Sequence, residues 1–417
     1  MKIKSQTLST ADALKVETPK RKLKKPSFLF QSLVRLLSIG ELCKANFRCE
    51  KVNMKKAGKG PWLILMNHTC FLDLKMASKL LYPKRHFIVS TADALIGKEW
   101  LMRNIGCIPT EKFVTDPSLA RNLKRALTGK KTSVLMYPEA GYTFDGRTTL
   151  LPDHLGAFVK YLGAPLVMIT SKNAFLYQPL YNNLHTRKVP VCATMECLLS
   201  QEELAEKSAE EIQEIILKAF SFDAFKTQRD EKIKIDEPYR AEGLHRILYR
   251  CPHCNTDGQT VGEGVTLTCN ACGKVYEMDE YGQMRAKTGE TEFAHIPDWV
   301  DWERTCVREE LKKGEYRLET EVDIVLSAGF KAVYPVGKGK LVHDENGFTL
   351  QSDDGVISYT QSPLFSYSVN ADFYWYETAD IVCIGDKKRL YYCLLPDDKN
   401  VAAKTRYAAE ELYKMKK

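Results

Sequence analysis

The stretch WLILMNHTCFLDLKMASKLL (Trp62–Leu81) joins an apolar run to an amphipathic one. The run WLILM predicts a buried strand that ends at Asn67, and apolar residues at helical spacing predict a helix over Leu72–Leu81. This alternation continues to Lys226. It indicates crossover connections and therefore an α/β fold with a mainly parallel sheet flanked by helices. The other predicted elements are the strands RHFIVS, GCIPT, TSVLMYP and APLVMIT, the helices Ser118–Leu127 and Leu155–Leu162, and a closing helix at Glu202–Phe220.

A histidine and an aspartate follow the first strand. His68 lies at its carboxyl end, where open α/β sheets place ligands, and Asp73 lies five residues later at the start of the helix. A carboxylate there can bond one imidazole N–H and support the imidazolium that forms when the other nitrogen takes a proton. The pair predicts a general-base dyad that activates a hydroxyl. The spacing alone equally suits a structural histidine beside a helix-capping aspartate.

A second strand ends in a comparable way. In VLMYPEAGYTFDG (Val134–Gly146), an apolar run leads to Pro138 and then to Glu139 on a glycine-containing turn. The stretch is similar to the first one, in which a strand also ends by presenting a polar side chain. The pattern by itself fits a functional glutamate and also one that only caps the following segment.

Four motifs in this order resemble those of the glycerolipid acyltransferases, whose best-known members are the 1-acylglycerol-3-phosphate acyltransferases. They are Asn67-His68-x₄-Asp73, Ile105–Lys112, Tyr137-Pro138-Glu139 and Ala164–Val167, within about Trp62–Phe220. The resemblance implies that His68 deprotonates an acceptor hydroxyl, that Asp73 orients His68, and that Glu139 holds the acceptor's hydroxyls. It also assigns Asn67, Gly106, Pro138, Ala140 and Gly141 to the substrate site, with the amides of the last two close to the acceptor.

Two positions depart from the family pattern. Members that bind glycerol phosphate usually follow Pro-Glu with Gly-Thr-Arg, whereas Tyr142 stands here in place of the arginine. The arginine of the second motif is Lys112, which keeps the charge but loses the bidentate fork. Arg147 and Arg103 are candidate substitutes. The resemblance therefore implies acyl transfer, with an acceptor that carries less anionic charge or is held differently.

Two paired-cysteine knuckles follow this region. Cys251-x₂-Cys254 and Cys269-x₂-Cys272 are separated by 14 residues. Four thiolates at this spacing predict a structural zinc site in a zinc ribbon; the alternatives are two disulfides or four free thiols. A Cys₄ site is closed, so we expect no catalytic cofactor there. The acidic residues Glu263, Glu277, Asp279 and Glu280 argue against nucleic acid as a partner.

The positive charge is concentrated at the N-terminus. Met1–Lys59 holds 15 Lys or Arg and four Asp or Glu, an excess of +11, whereas the whole chain carries +8. Met1–Pro19 is polar and aperiodic, and the basic cluster Lys20–Pro26 leads into the apolar-faced helix Ser27–Cys43, with Ser27 as its N-cap. This pattern favours an anionic membrane surface as partner. The alternative is a helix that packs on the domain's own core.

Many short strands with Gly, Asp and Asn turns occupy Thr320–Leu395, and a helix is predicted at Val401–Lys414. They suggest a small barrel or roll capped by a helix, comparable to a pleckstrin-homology-type domain. The predicted division is a mobile basic leader (1–26), an amphipathic helical segment (27–59), an acyltransferase domain (60–230), a zinc ribbon (248–286) and a small β-rich domain with a C-terminal helix (318–417).

No apolar run reaches the roughly 18 residues of a membrane span, and no signal peptide is evident. Nine of the thirteen cysteines are scattered singly, which suits a reducing cytosol. The first hypothesis is a cytoplasmic acyltransferase, peripheral on the inner face of the membrane. It would use acyl-CoA or acyl carrier protein as donor and a lysophospholipid-like acceptor. The alternative is a non-catalytic lipid- or protein-binding scaffold on a degenerate acyltransferase core, and a nucleic-acid-binding protein is the weakest hypothesis.

Overall fold

The computed structural model describes residues 3–19, 21–396 and 400–417. Lys20 of the predicted basic cluster, and Met1 and Lys2 of the leader, lie outside the described residues.

The first unit is a seven-stranded mixed sheet with helices on both sides. Its strand order is β1-β7-β6-β2-β5-β3-β4. The five strands from β6 to β4 are parallel, and β7 pairs antiparallel with β6. This confirms the predicted α/β fold. The strands are β1 Arg48–Val52, β2 Leu63–Met66, β3 His86–Thr91, β4 Cys107–Thr110, β5 Ser133–Met136, β6 Leu166–Lys172 and β7 Cys192–Leu199.

Eleven α-helices are described before residue 231. They are α1 Thr10–Ala13, α2 Phe28–Leu37, α3 Ile39–Lys44, α4 Leu72–Leu81, α5 Glu99–Ile105, α6 Pro117–Thr128, α7 Leu155–Leu162, α8 Ala174–Tyr177, α9 Gln201–Glu206, α10 Ala209–Ala219 and α11 Ala224–Asp230. Gly156 allows α7 to pack closely on α10, since a Cβ there would lie 2.1 Å from the Ala209 carbonyl oxygen.

Two predicted helices are each divided. The helix expected over Glu202–Phe220 is α9 and α10, because Ser208 and Glu211 form a capping box that starts a second helix. The helix expected over Ser27–Cys43 is α2 and α3. Ser27 occupies the N-cap position of α2 without a side-chain capping bond. The edge strand β1 and its neighbour β7 were not predicted.

The paired cysteines lie beside a second, smaller sheet with strand order β11-β10-β9-β8, and only Cys269 is part of a strand. All its pairings are antiparallel. The long helix α12 (Ile296–Lys313), which was not predicted, follows it. The strands are β8 Thr260–Glu263, β9 Thr266–Cys269, β10 Val275–Met278 and β11 Met284–Ala286.

The C-terminal region is a seven-stranded antiparallel sheet of order β15-β14-β13-β12-β18-β17-β16, followed by one helix. This confirms the predicted β-rich region with a final helix. The elements are β12 Leu318–Ser327, β13 Val333–Asp344, β14 Gly347–Ser352, β15 Ser358–Gln361, β16 Asn370–Trp375, β17 Ala379–Gly385, β18 Leu390–Leu394 and α13 Ala402–Lys416. In the part of the chain that the structure describes, four short 3₁₀ helices occur at Ala92–Leu95, Leu180–Asn182, Leu244–Arg246 and Pro363–Phe365.

The N-terminal segment differs from the predicted mobile leader. Within residues 3–19, Ser5 forms a bridge to Val333, and Ala13 is fully buried. The Thr10 hydroxyl donates to Asp354 Oδ2 over 2.9 Å. The segment thus packs on the C-terminal sheet, a long-range contact that its aperiodic sequence does not signal.

Across residues 3–19, 21–396 and 400–417, no helix is both long and apolar enough to cross a membrane.

Candidate active site

His68 and Asp73 form the predicted dyad. His68 Nδ1 lies 3.0 Å from Asp73 Oδ2. The Asp73 carboxylate is completely buried, whereas the His68 side chain retains 24% of its exposure. Because Nδ1 faces the carboxylate, Nε2 is the ring nitrogen left for a hydroxyl. The geometry suits a general base with an orienting carboxylate.

The start of helix α4 fixes the position of Asp73. Its Oδ2 accepts hydrogen bonds from the backbone N–H groups of Thr69 (2.6 Å) and Cys70 (3.1 Å), and Oδ1 accepts one from the Thr69 hydroxyl (3.1 Å). Asp73 also lies in the first turn, where unpaired amides favour negative charge. A carboxylate with this many donors keeps one orientation toward His68. Thr69 was not singled out from the sequence, although it lies inside the motif.

Two tyrosines enclose the imidazole ring. The ring centroid of Tyr137 lies 4.2 Å from that of His68 in a stacked arrangement, and that of Tyr142 lies 4.4 Å away at 56°. Tyr142 therefore packs on the base at the position where the family pattern has a phosphate-binding arginine. Burial raises the pKa of the Tyr142 phenol well above its usual range, and the carboxylate of Asp73 adds to the shift.

Glu139 lies beside His68 because β5 pairs with β2, so the residues after both strands meet at one edge of the sheet. Its side chain is fully buried. Oε2 accepts the backbone N–H of His68 at 2.7 Å, and Oε1 accepts that of Thr149 at 2.9 Å. The resemblance implied that Glu139 holds acceptor hydroxyls. In the structure both carboxylate oxygens accept hydrogen bonds from backbone N–H groups instead.

The loop after Glu139 also binds the main chain of His68, because the Thr143 N–H donates a hydrogen bond to the His68 carbonyl at 3.1 Å. Burial raises the pKa of Glu139 to about 7, although the amides of Thr149 and His68 lower it in part.

The residues assigned to substrate through the resemblance have structural partners. Asn67 is buried and ties β2 to β6, since its Oδ1 accepts the Ser171 N–H at 2.7 Å. Gly106 ends α5 at a φ of 111°, and a Cβ there would lie 2.7 Å from Pro26 Cγ. Pro138 is buried in the turn. Ala140 has a positive φ of 57° and donates its N–H to the Tyr137 carbonyl, whereas Gly141 faces open space.

The three candidate phosphate-binding cations are engaged by the protein. Lys112 Nζ donates to Asn370 Oδ1 at 3.3 Å. Arg147 forms a bidentate pair with Asp301 of α12 at 2.7 and 2.8 Å and also pairs with Asp145. It lines a charged cleft of about 420 Å³ between its loop, α12 and α13. Arg103 donates to Glu99 and to the Lys22 carbonyl.

Residues 46–171 match the family model described as Acyltransferase, and this range contains the dyad, Glu139 and Lys112. These residues form an acyltransferase domain. The family predicted from the motifs is thereby confirmed. A search of curated proteins gave no match.

Among solved structures, the chain is similar to the crystal structure of the 1-acyl-sn-glycerophosphate (LPA) acyltransferase PlsC from Thermotoga maritima. The TM-score is 0.32 and the identity 12%, over 46% of this chain and 78% of that one. The family assignment rests on the family model and the motifs rather than on this similarity.

The C-terminal sheet contacts the acyltransferase domain beside the dyad. The rings of Phe144 and Phe373 lie 4.5 Å apart, and Arg406 of α13 lies over the Phe144 ring at 4.6 Å. Burial raises the pKa of Asp372 in β16, and the charge of Lys112 opposes that rise. The amino-acid sequence gives no local signal for these contacts between the C-terminal region and the acyltransferase domain, because the residues that form them lie far apart along the chain.

The four knuckle cysteines form one cluster. Their sulfur atoms all lie within 4.8 Å of one another. Cys251 and Cys272 are 3.8 Å apart, and Cys254 and Cys269 are 3.7 Å apart. A tetrahedron with zinc–sulfur bonds of about 2.3 Å has edges of about 3.8 Å, so the cluster fits a tetrahedral metal ion. All thirteen cysteines are free, which leaves no disulfide in this group.

Proposed function

We propose that the protein transfers a fatty acyl group from an acyl thioester, acyl-CoA or acyl carrier protein, to a hydroxyl of a glycerolipid acceptor in phospholipid biosynthesis. The observation that carries this proposal is the buried Asp73 carboxylate on His68 Nδ1, within an acyltransferase domain. His68 and Asp73 are the proposed catalytic residues.

The dyad supplies the proton transfers that this reaction requires. His68 Nε2 takes the proton of the acceptor hydroxyl as its oxygen attacks the thioester carbonyl. The resulting imidazolium is stabilised by Asp73. When the tetrahedral intermediate collapses, the carbon–sulfur bond breaks, the ester forms, and the proton passes from His68 to the leaving thiolate. No redox step or catalytic metal is needed.

A membrane-facing surface is proposed beside this site. Helix α2 is turned outward, since Leu29 and Leu37 are 73% and 72% exposed whereas its buried residue is Gln31. The Gln31 amide donates to the carbonyls of His86 and Ile105 at 2.6 and 2.8 Å, which holds the polar side inward. The apolar side of α2 therefore does not pack on the domain's own core.

Other exposed apolar residues continue this surface. Trp100 of α5 is 68% exposed and contacts Phe30 edge-on, and Tyr82 stacks on Phe28 at 6.0 Å. Phe71, three residues after His68, is 59% exposed. We name the outward side of α2 with Phe71, Tyr82 and Trp100 the apolar face. An exposed apolar surface near a basic segment fits an anionic bilayer, from which a lipid acceptor would reach His68.

Zinc is the proposed occupant of the cysteine cluster. Four thiolates in a closed tetrahedron suit a structural ion that holds the second sheet together. The free state of all cysteines supports a reducing compartment, and we propose the cytoplasmic side of the membrane. The proposed division of the chain is an acyltransferase domain at 60–230, a zinc ribbon at 248–286 and a C-terminal domain at 318–417. Strand β1 (Arg48–Val52) adds part of the preceding segment to the sheet of the acyltransferase domain.

The proposed function is tested with purified full-length protein, labelled acyl-CoA and a lipid extract, followed by mass spectrometry of the product. His68→Ala and Asp73→Asn should lower turnover by about 10²–10⁴-fold while the fold is retained. The matched control is His185→Ala, which removes an exposed histidine of the same domain. Equal acyl transfer by all four proteins would contradict the roles of His68 and Asp73, and no transfer by the wild type with either donor would favour the scaffold hypothesis.

A further inference from the structure

Strand β16 covers the loops that follow β4 and β5 in the acyltransferase domain. Lys112 donates to Asn370 across 258 positions of sequence, at 3.3 Å. Phe113 contacts Tyr367 edge-on, with ring centroids 5.4 Å apart, just before β16 begins. The strand and the turn before it therefore form a wall beside the second and third motifs.

Asp372 lies on this wall between the residues that make the contacts. Asn370, two residues before it, holds Lys112, and Phe373, the next residue, packs on Phe144. Asn370 and Asp372 are two residues apart on β16, so their side chains lie on the same side of the strand. Asp372 therefore lies beside the residue that binds Lys112, and the neighbouring Phe373 packs on the loop that carries Tyr142.

We propose that β16 forms one side of the acceptor site and that Asp372 selects a glycerolipid acceptor without a phosphate group. This inference rests on the proposed acyl transfer and names its acceptor class. A phosphate monoester carries about 1.5 to 2 negative charges near neutral pH. A phosphate group bound near Lys112, which stands at the position of the family's second-motif arginine, would be repelled by the Asp372 carboxylate beside it.

The other cations do not compensate for Asp372. Arg147 is paired with Asp145 and Asp301, and Arg103 is paired with Glu99. The two arginines that lie over Phe144 and Phe373 are also paired, Arg406 with Glu410 and Arg246 with Asp380. Lys112 is held by Asn370 and has Asp372 beside it. A glycerol headgroup, by contrast, presents neutral hydroxyls that can donate hydrogen bonds to the Asp372 carboxylate. The site therefore suits a monoacylglycerol-like head better than a lysophosphatidate head.

The experiment compares two acceptors that differ only in the phosphate. The kcat/KM for monoacylglycerol and for lysophosphatidate of one chain length is measured in mixed micelles for the full-length protein. The variants are Asp372→Asn, the conservative Asp372→Glu and the matched control Asp353→Asn. Asp353 is an exposed carboxylate on the β14–β15 turn of the same sheet, so it reports any general effect of removing a negative charge.

The wild type should prefer monoacylglycerol by at least about tenfold, and Asp372→Asn should raise kcat/KM for lysophosphatidate about tenfold, the effect of a shift of about 1.4 kcal/mol. Asp372→Glu and Asp353→Asn should keep the wild-type preference. A wild-type preference for lysophosphatidate, or a preference that Asp372→Asn leaves unchanged, would overturn the inference.

A binding measurement separates this inference from the proposed function. Equilibrium binding of the two radiolabelled lipids is measured for His68→Ala and for His68→Ala/Asp372→Asn. This measurement does not require turnover. Stronger lysophosphatidate binding by the double variant supports the role of Asp372 even if acyl transfer fails, and equal binding refutes it. Absence of transfer to either lipid by the wild type would instead count against the proposed function.

Discussion

The carboxylate of Glu139 accepts the backbone N–H of His68 at 2.7 Å, so the third motif holds the main chain of the proposed base. The second oxygen of Glu139 binds the Thr149 N–H, and Thr143 donates to the His68 carbonyl. The residues after β2 and β5 are thereby joined through a fully buried side chain. We therefore propose that Glu139 acts by positioning His68.

Glu139 should make the stability of the protein depend on pH. Its pKa is raised from 4.5 to about 7 by burial, so its contribution to stability is complete below pH 4.5 and is lost as the pH rises through 7. The loss amounts to about 3 kcal/mol. Glu139→Gln keeps a neutral side chain of the same shape and should remove this dependence. The measurement is urea unfolding of both proteins at pH 5 and pH 8. Parallel changes in their free energies of unfolding would contradict the prediction.

Tyr142 should affect the base through its ring and not through its hydroxyl. Tyr142→Phe keeps the ring that lies 4.4 Å from His68 and should retain kcat within about twofold. Tyr142→Ala frees one side of the imidazole, and we expect kcat to fall about tenfold because the base loses its fixed orientation. Tyr142→Arg should improve the use of lysophosphatidate relative to monoacylglycerol. Steady-state kinetics with both acceptors test this, and a loss of activity in Tyr142→Phe equal to that of Tyr142→Ala would show that the hydroxyl matters.

Metal removal should unfold the second sheet. We expect one zinc ion per chain by elemental analysis, and its removal by chelation should expose the amides of Arg250–Ala286 to hydrogen exchange. Cys254→Ser should reproduce this effect. Cys192→Ser, which changes a single cysteine outside the cluster, should not. Protein purified under reducing conditions that contains no zinc would exclude the proposed ion.

The apolar face should bind anionic vesicles. Leu29→Glu/Leu36→Glu places two charges on the outward side of α2 and should weaken vesicle binding at least tenfold, since charge opposes both burial and attraction to anionic lipid. The matched control, Val356→Glu/Leu364→Glu, alters exposed apolar residues of the C-terminal domain. Sedimentation with vesicles at low and high salt is the measurement. Equal binding by the two variants would refute the assignment.

The elements near the dyad were predictable because their signals are local. Leu72–Leu81 and Leu155–Leu162 begin and end where the apolar periodicity does. The division between α9 and α10 was missed, although Ser208 and Glu211 have the spacing of a capping box. Strands β1 and β7 and helix α12 were not among the predicted elements. The cysteine cluster followed from spacing alone, since the turn within each Cys-x₂-Cys knuckle brings its own two sulfurs together.

The α/β order, the His68–Asp73 pairing and the four-cysteine cluster could be predicted from the amino-acid sequence, since each depends on residues close together in the chain or on a motif of fixed spacing. Three relations became visible only in the folded chain: both oxygens of Glu139 accept backbone N–H groups, Arg147 is paired with Asp301, and Asp372 lies two residues from the asparagine that binds Lys112. These relations depend on which strands become neighbours and how separate sheets pack. Buried charges and hydrogen bonds find their partners through that packing, over distances of up to hundreds of residues in sequence, which local periodicity does not encode.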